Sequence, residues 1–271
     1  MNNSILVVVL AVWSFGGYCA TVTPRVENVS HKDDGLSTEE RRALWEKNFM
    51  KRYGGFCEQP GSQQGKVIFV DAQKKVDGDF IKAQVAAIED FSRIKTEYVQ
   101  DAAASISTAS TGIRTRGAQM AVYVVDDPKL PALLTAPEAK WAFVNVAFLS
   151  ADGAEISKVQ KRVRKELWRA FAYTAGCGDS NDGRSVVQAV STLADLDAIV
   201  VENFDPIQMQ GLLHSMKKIG VTPKHIAPYK TACIRGWAPA PTNEYQKAIW
   251  DKVHAPPKTP MKIEFDPKKG K

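Results

Sequence analysis

The sequence is poor in the residues that most often carry chemistry. Its 271 residues include four cysteines and four histidines. No two of the histidines, His31, His214, His225 and His254, stand three or four positions apart, the spacing that sets two imidazoles on one helix face. No Cys-x-x-Cys pair exists, so a cysteine-built zinc site has no basis. Neither a Gly-x-x-x-x-Gly-Lys-Ser/Thr loop nor a Gly-x-Gly-x-x-Gly turn after a strand occurs, which removes the backbone cradles for nucleotide phosphates. The Gly-x-Ser-x-Gly elbow of serine hydrolases is missing too, since Gly183-Arg184-Ser185 lacks the second glycine. Asp126-Asp127 before Pro128 reads as a turn in preference to a calcium or glycosidase pair, and Asp195 and Asp197 keep both readings.

Long apolar runs are also lacking. The run Ile5 to Trp13 is about half the ~20 residues that cross a bilayer as a helix, so no permanent membrane span is expected. It sits within Met1–Ala20, which carries no charged side chain and ends in the small, turn-prone Ser14 to Ala20. That layout predicts a signal peptide over 1–20, although only the terminal amine supplies its positive charge. The mature protein is then secreted, or held in the periplasm or cell envelope. Cys19 raises a lipoprotein alternative, against which bulky Tyr18 stands where a lipidation box has a small residue.

What is present is ordinary folded composition, 44% hydrophobic and 24% charged. The net charge of +6 is dispersed, and Lys258, Lys262, Lys268, Lys269 and Lys271 place much of it in a Pro/Lys-rich tail over 255–271. No nucleic acid partner is expected. Beyond Cys19 the cysteines are Cys57, Cys177 and Cys233, and an oxidising compartment favours pairing two of the three. A disulfide between Cys177 and Cys233 is expected, with the choice of partners left open by the odd count. Cys177 follows the C-terminus of a basic helix, whose dipole opposes a reactive thiolate there.

A flexible segment over 21–36 precedes a single α/β domain over 37–254. Ser37-Thr38-Glu39-Glu40 reads as a capping box opening a helix that Gly54-Gly55 ends. Lys66–Asp71 is a buried strand, and Phe80, Ile81, Val85, Ile88 and Phe91 recur at helical spacing after it. Arg93–Gln100 alternates as a second strand, 102–117 reads as a loop, and Ala118–Asp126 makes a third strand. Trp141–Phe148 gives a fourth that suits an edge position. Ile156–Ala175 is a long helix with Val159, Val163, Leu167, Ala170 and Phe171 on its apolar face, closed by Gly176 and Gly178. Further helices fall around 206–218 and 242–253. Alternating strands and helices give an α/β class, a sheet with covering helices plus additional C-terminal helices.

The block Trp141 to Asp197 resembles the metzincin-type zinc peptidases, and the archaemetzincins most closely. There a strand leads to a helix bearing His-Glu-x-x-His-x-x-Gly-x-x-His-Cys, followed by a turn methionine and an Asp-Leu-Asp-like stretch. Here the helix reads Lys165-Glu166-Leu167-Trp168-Arg169-Ala170-Phe171-Ala172-Tyr173-Thr174-Ala175-Gly176-Cys177, with Leu193-Ala194-Asp195-Leu196-Asp197 beyond. The resemblance implies a zincin-like fold with a mixed sheet, in which Lys165 and Arg169 occupy the places of two zinc-binding histidines and Ala175 that of the third. Glu166 keeps the place of the general base. Ala172 replaces the glycine, Val187 lies near the methionine, and Cys177 is displaced by one. Two neutral imidazoles one turn apart can share an ion whose bound water the glutamate deprotonates. Ammonium and guanidinium groups offer only donors, so neither a metal nor another cofactor is expected.

Two function classes follow. One is an exported, non-catalytic pseudo-peptidase with a binding or structural role; the other is a secreted metal-dependent hydrolase using Glu166 with ligands not recognised in the sequence. Arg162, Lys165 and Arg169 fall at i, i+3 and i+7, a basic stripe along one helix face. It reads either as a site for an acidic ligand or peptide, or as a solvated face neutralised by Glu155, Glu166 or Asp179.

Overall fold

The computed structural model describes residues 36–256. The leader over 1–20, nearly all of 21–36 and the tail from 257 lie outside the described residues, and with them the expectation of a signal peptide. Where the sequence suggested one domain over 37–254, the described chain divides into two compact units, 60–225 in the larger and 36–59 with 226–256 in the smaller. The smaller is assembled from segments far apart in sequence, a pairing that local periodicity does not register.

The smaller unit opens with α1 (Thr38–Tyr53). The Ser37 backbone N–H donates to Glu40 at 2.7 Å while the Glu40 N–H donates to the Ser37 hydroxyl at 3.2 Å, the reciprocal capping box read from the sequence. Gly54, at φ 73°, ends the helix in a left-handed conformation that a β-carbon disfavours. A short strand, β1 (Phe56–Glu58), completes this segment.

The larger unit follows. Its elements run β2 (Val67–Asp71), α2 (Gly78–Ser92), β3 (Thr96–Gln100), α3 (Ala109–Thr115), β4 (Met120–Val125), β5 (Leu133–Ala136), β6 (Trp141–Asn145), α4 (Val146–Leu149), α5 (Ile156–Thr174), α6 (Leu193–Ala198) and α7 (Pro206–Lys218). The strands form one mixed sheet in the order β3-β2-β4-β6-β5. Its first four strands are mutually parallel and β5 alone runs antiparallel, against β6.

Strand alternation divides the core in two. Val67, Phe69, Met120, Val122, Val124, Ala142 and Val144 face a cluster built with α2, α5 and α7, whereas Ile68, Val70, Ala121, Tyr123, Val125 and Phe143 face Ala109 and Ile113 of α3. Both faces being covered explains why β2 and β4 read as unbroken apolar runs. The expected apolar face of α5 is realised: Val159, Val163, Leu167, Ala170 and Phe171 are all buried.

Three local expectations are corrected. Part of 102–117 is helical, as α3 after a 3-10 turn over Ile106–Thr108, where Ser, Thr and Gly give little intrinsic helix signal and packing of Ala109 and Ile113 decides. Trp141–Phe148 is not an edge: its strand stops at Asn145, lies between β4 and β5, and gives way to α4. The edge on that side is β5, four residues between Pro131 and Pro137, with β3 at the other edge.

In the smaller unit β7 (Ile226–Pro228) pairs antiparallel with β1 and passes directly into α8 (Tyr229–Ile234), with α9 (Glu244–His254) last. Gln246 of α9 donates to the Gly54 carbonyl at 2.9 Å, joining the two ends of this unit. Among the described residues no helix is long and apolar enough to cross a membrane.

Candidate functional site

α5 carries Arg162, Lys165, Glu166 and Arg169, while Cys177 follows just beyond its end. It is buried almost all round: Arg162, Lys165, Glu166 and Arg169 are 1%, 6%, 0% and 5% exposed. The three cations do lie along one side of the helix, yet that side is covered, and each cation has different work there.

Arg162 spends all five of its donors inside the protein. Nε and Nη2 hold Asp197 at 2.8 and 2.7 Å, Nη1 and Nη2 hold Asp152 at 2.8 Å each, and Nη1 also donates to the Leu149 carbonyl at 2.8 Å. Two bidentate forks are the strongest geometry available to this side chain. Lys158 adds a third contact to Asp197 at 3.1 Å. The guanidinium holds the Asp197 carboxyl down to about 2, and pulls Asp152 well below the usual carboxylate range. Arg162 therefore ties the loop after α4 and the end of α6 to α5, and has no donor left for a ligand.

Lys165 is likewise committed. Its ammonium donates to the Leu196 carbonyl at 2.8 Å and the Asp197 carbonyl at 3.3 Å, so it caps the C-terminal turn of α6, where carbonyls lack helical partners. Burial lowers its pKa, with Asp197 opposing.

Arg169 differs. Nη1 donates to Glu166 at 2.6 Å, and Nη2 to the Tyr173 hydroxyl at 3.3 Å and the Gln188 carbonyl at 3.2 Å, with the guanidinium 5.3 Å from the Tyr173 ring centre. Its Nε and the Glu166 Oε2 are buried and make no hydrogen bond. Burial pushes the Glu166 carboxyl up, against the opposing pull of Arg169. Tyr173 in turn donates to Asp179, and burial followed by that bond raises its hydroxyl to about 12.

Glu166, Arg169, Tyr173 and Asp179 line a cleft of about 540 Å³. Leu133 and Thr135 of β5 also line it, with Val190 before α6 and Leu193 at its start. The Asn145 N–H donates to the Ala132 carbonyl at 2.9 Å. In an antiparallel ladder with Val144 opposite Leu133 and Ala142 opposite Thr135, bonded and non-bonded pairs alternate, so the backbone groups of Leu133 and Thr135 point away from β6 along the open edge. The cleft thus joins an unpaired strand edge, apolar side chains and a half-satisfied ion pair.

Zinc does not fit the donor set. Lys165 and Arg169 have no lone pair to give, Ala175 has no side-chain donor atom, and Glu166 already holds Arg169. Among the described residues no three His, Cys, Asp or Glu side chains converge as a metal site. His214 is exposed on α7, His254 stacks on Trp250 at 4.1 Å, and His31 lies outside the described residues.

The three described cysteines are free thiols. Cys177 follows Gly176, whose φ of 93° turns the chain off α5, and burial lifts its thiol to about 11. It belongs to the larger unit, whereas its expected partner Cys233 belongs to the smaller, with Cys57. Sequence reasoning missed Asp152, Tyr173 and Gln188. Asp152 gave no signal, and Tyr173 was signalled only by standing one helical turn beyond Arg169.

No family model matches the sequence, and no curated protein does either. Solved structures do. An archaemetzincin from Methanopyrus kandleri is similar over 58% of this chain and 98% of its own, at 19% identity and a TM-score of 0.45. A zinc-dependent peptidase from Methanocorpusculum labreanum matches 55% of this chain with all of its own, at 13% identity and a TM-score of 0.41. An archaemetzincin from Archaeoglobus fulgidus, complexed with malonate, covers 54% of this chain with 98% of its own, at 13% identity and a TM-score of 0.39.

Proposed function

We propose that this is an exported, non-catalytic zincin-like protein whose cleft binds an acidic ligand, taken as the carboxylate of an extended peptide. The observation that carries the reading is the contrast along α5. Arg162 is saturated within the fold and Lys165 is held by two carbonyls, whereas Arg169 lines the cleft and has a buried Nε donor with no hydrogen bond. Two further features support it: the open edge of β5 offers backbone partners to an extended chain, and Leu133, Val190 and Leu193 supply apolar contact. Loss of the metal ligands removes the means of activating water, so the cleft is read as holding its peptide without cutting it.

The hydrolase alternative has one observation in its favour, a fully buried Glu166 whose carboxyl is raised, as general bases often are. Calorimetric titration with short peptides separates the two. A free C-terminal carboxylate should bind about 10- to 100-fold more tightly than the same peptide amidated, as expected for one charge-assisted hydrogen bond, and Arg169→Met should erase that difference. Equal affinity of acid and amide refutes the binding reading. Stoichiometric zinc, with peptide hydrolysis lost in Glu166→Ala, establishes the hydrolase instead.

A further inference from the structure

The smaller unit brings two cysteines into one cluster. Cys57 is the middle residue of β1, in register with Ala227 of β7, and its thiol donates to the Ala227 carbonyl at 3.7 Å. β7 leads without a loop into α8, which carries Cys233, 3% exposed, into a cluster with Tyr229 and Ile249. Cys57 packs against that same cluster. Positions 57 and 233 are thereby neighbours across the seam where the N-terminal and C-terminal segments of this unit meet.

The unit is thinly cored. Tyr229, Cys233 and Ile249 make up the buried cluster, and the sixteen residues of α1 contribute no buried side chain to it. Apolar burial of that size is a weak counterweight to chain entropy, and small units of this kind are commonly held by a cross-link. The register pairing of β1 with β7 spans only three residues, so the seam has few hydrogen bonds of its own.

We propose that Cys57 and Cys233 form a disulfide that closes the smaller unit, leaving Cys177 as the free thiol of the odd set. The oxidant is a low-molecular-weight disulfide such as glutathione disulfide. One cysteine sulfur attacks it, forming a mixed disulfide and expelling one glutathione thiolate. The second cysteine sulfur attacks the mixed disulfide, forming the Cys57–Cys233 bond and expelling the second glutathione. Two protein thiols are oxidised, one small disulfide is reduced to two thiols, and the two protons pass to those products. The bond would join segments that are otherwise linked through the whole larger unit, a long-loop closure of the kind that constrains an unfolded chain most.

The test uses the full chain, equilibrated with glutathione disulfide, alkylated and cut with trypsin. Cys57 falls in the fragment 53–66, Cys177 in 170–184 and Cys233 in 231–235. The expected result is 53–66 joined to 231–235, released by reductant, with 170–184 alkylated. Fragment 170–184 joined to 231–235, a disulfide between two chains, or alkylation of all three thiols overturns the proposal. A second readout is the melting temperature. Reductant should lower it by roughly 5–15 °C in the oxidised protein and in Cys177→Ser, and leave Cys57→Ser or Cys233→Ala unmoved. Should both of the latter fail to fold, the Cys177→Ser comparison and the fragment masses still decide: a reductant shift lost in Cys177→Ser counts against the bond.

Discussion

Replacing Arg162 by methionine tests whether the basic residues of α5 are structural. The substitution keeps most of the apolar stem and removes five hydrogen bonds, two forks to Asp152 and Asp197 and one to the Leu149 carbonyl. Taking one partner from a buried ion pair costs about 3–5 kcal/mol. The side chains of Asp152 and Asp197 are 41% and 28% exposed, so water recovers part of their solvation and the expected loss falls to about 2–3 kcal/mol. For a chain of this size that is a melting temperature lower by roughly 4–12 °C, measurable by calorimetry at neutral pH. The sign with pH follows from the carboxyls. Asp197 is held down to about 2 by Arg162, so its ionised form stabilises the fold at every pH above its unfolded value near ~4, and the contribution is lost as pH falls toward 2. The gap between wild type and Arg162→Met should be constant from pH 8 to 5 and shrink between about pH 4 and 2. A gap that is unchanged at pH 2, or an Arg162→Met protein as stable as wild type at pH 7, refutes the structural assignment.

Lys165→Met should cost less, about 1–2 kcal/mol by thermal melting, because its partners are two neutral carbonyls and its own charge is already penalised by burial. Mass spectrometry of protein recovered from an exporting host should give a mature N-terminus between residues 17 and 21, whereas an intact Met1 in folded product defeats the expectation of export. Equilibrium dialysis against zinc should leave the unmodified protein without bound metal. Lys165→His with Arg169→His should bind it only weakly, since a third ligand near Ala175 is still missing.

The layered core was legible because its signals are local. β2, β4 and the strand part of Trp141–Phe148 announce themselves as apolar runs, and α2 and α5 as helical repeats, so an α/β sheet with covering helices follows from periodicity, while its mixed character was implied by the family resemblance. β5 was not legible: Leu133-Leu134-Thr135-Ala136 is short, and its place in the sheet comes from pairing with β6 across a turn. The pairing of β1 with β7 joins residues about 170 positions apart and left no trace in either segment. At the site, the spacing of Arg162, Lys165 and Arg169 correctly put them on one side of a helix, but suggested a wet face or an open ligand stripe. Spacing reports direction and not cover. Whether a cation is exposed depends on what arrives from elsewhere, here Asp152 from a loop ten residues earlier and Asp197 with the α6 carbonyls some thirty residues later. The pairing of Glu166 with Arg169 was the one neutralising contact readable from the helix itself, as an i, i+3 pair.

The brevity of β5 sets a length scale. At ~3.3 Å per residue its four residues offer about 13 Å of open edge, and Pro131 and Pro137, which bracket it, cannot donate backbone hydrogen bonds at either end. Among the described residues, the groups on β5 that point outward from β6 are those of Leu133 and Thr135. A guest strand can therefore register over about four residues and no further. The same bracket that would measure out a short peptide also denies a second sheet the long, flat edge it would need to polymerise on this one.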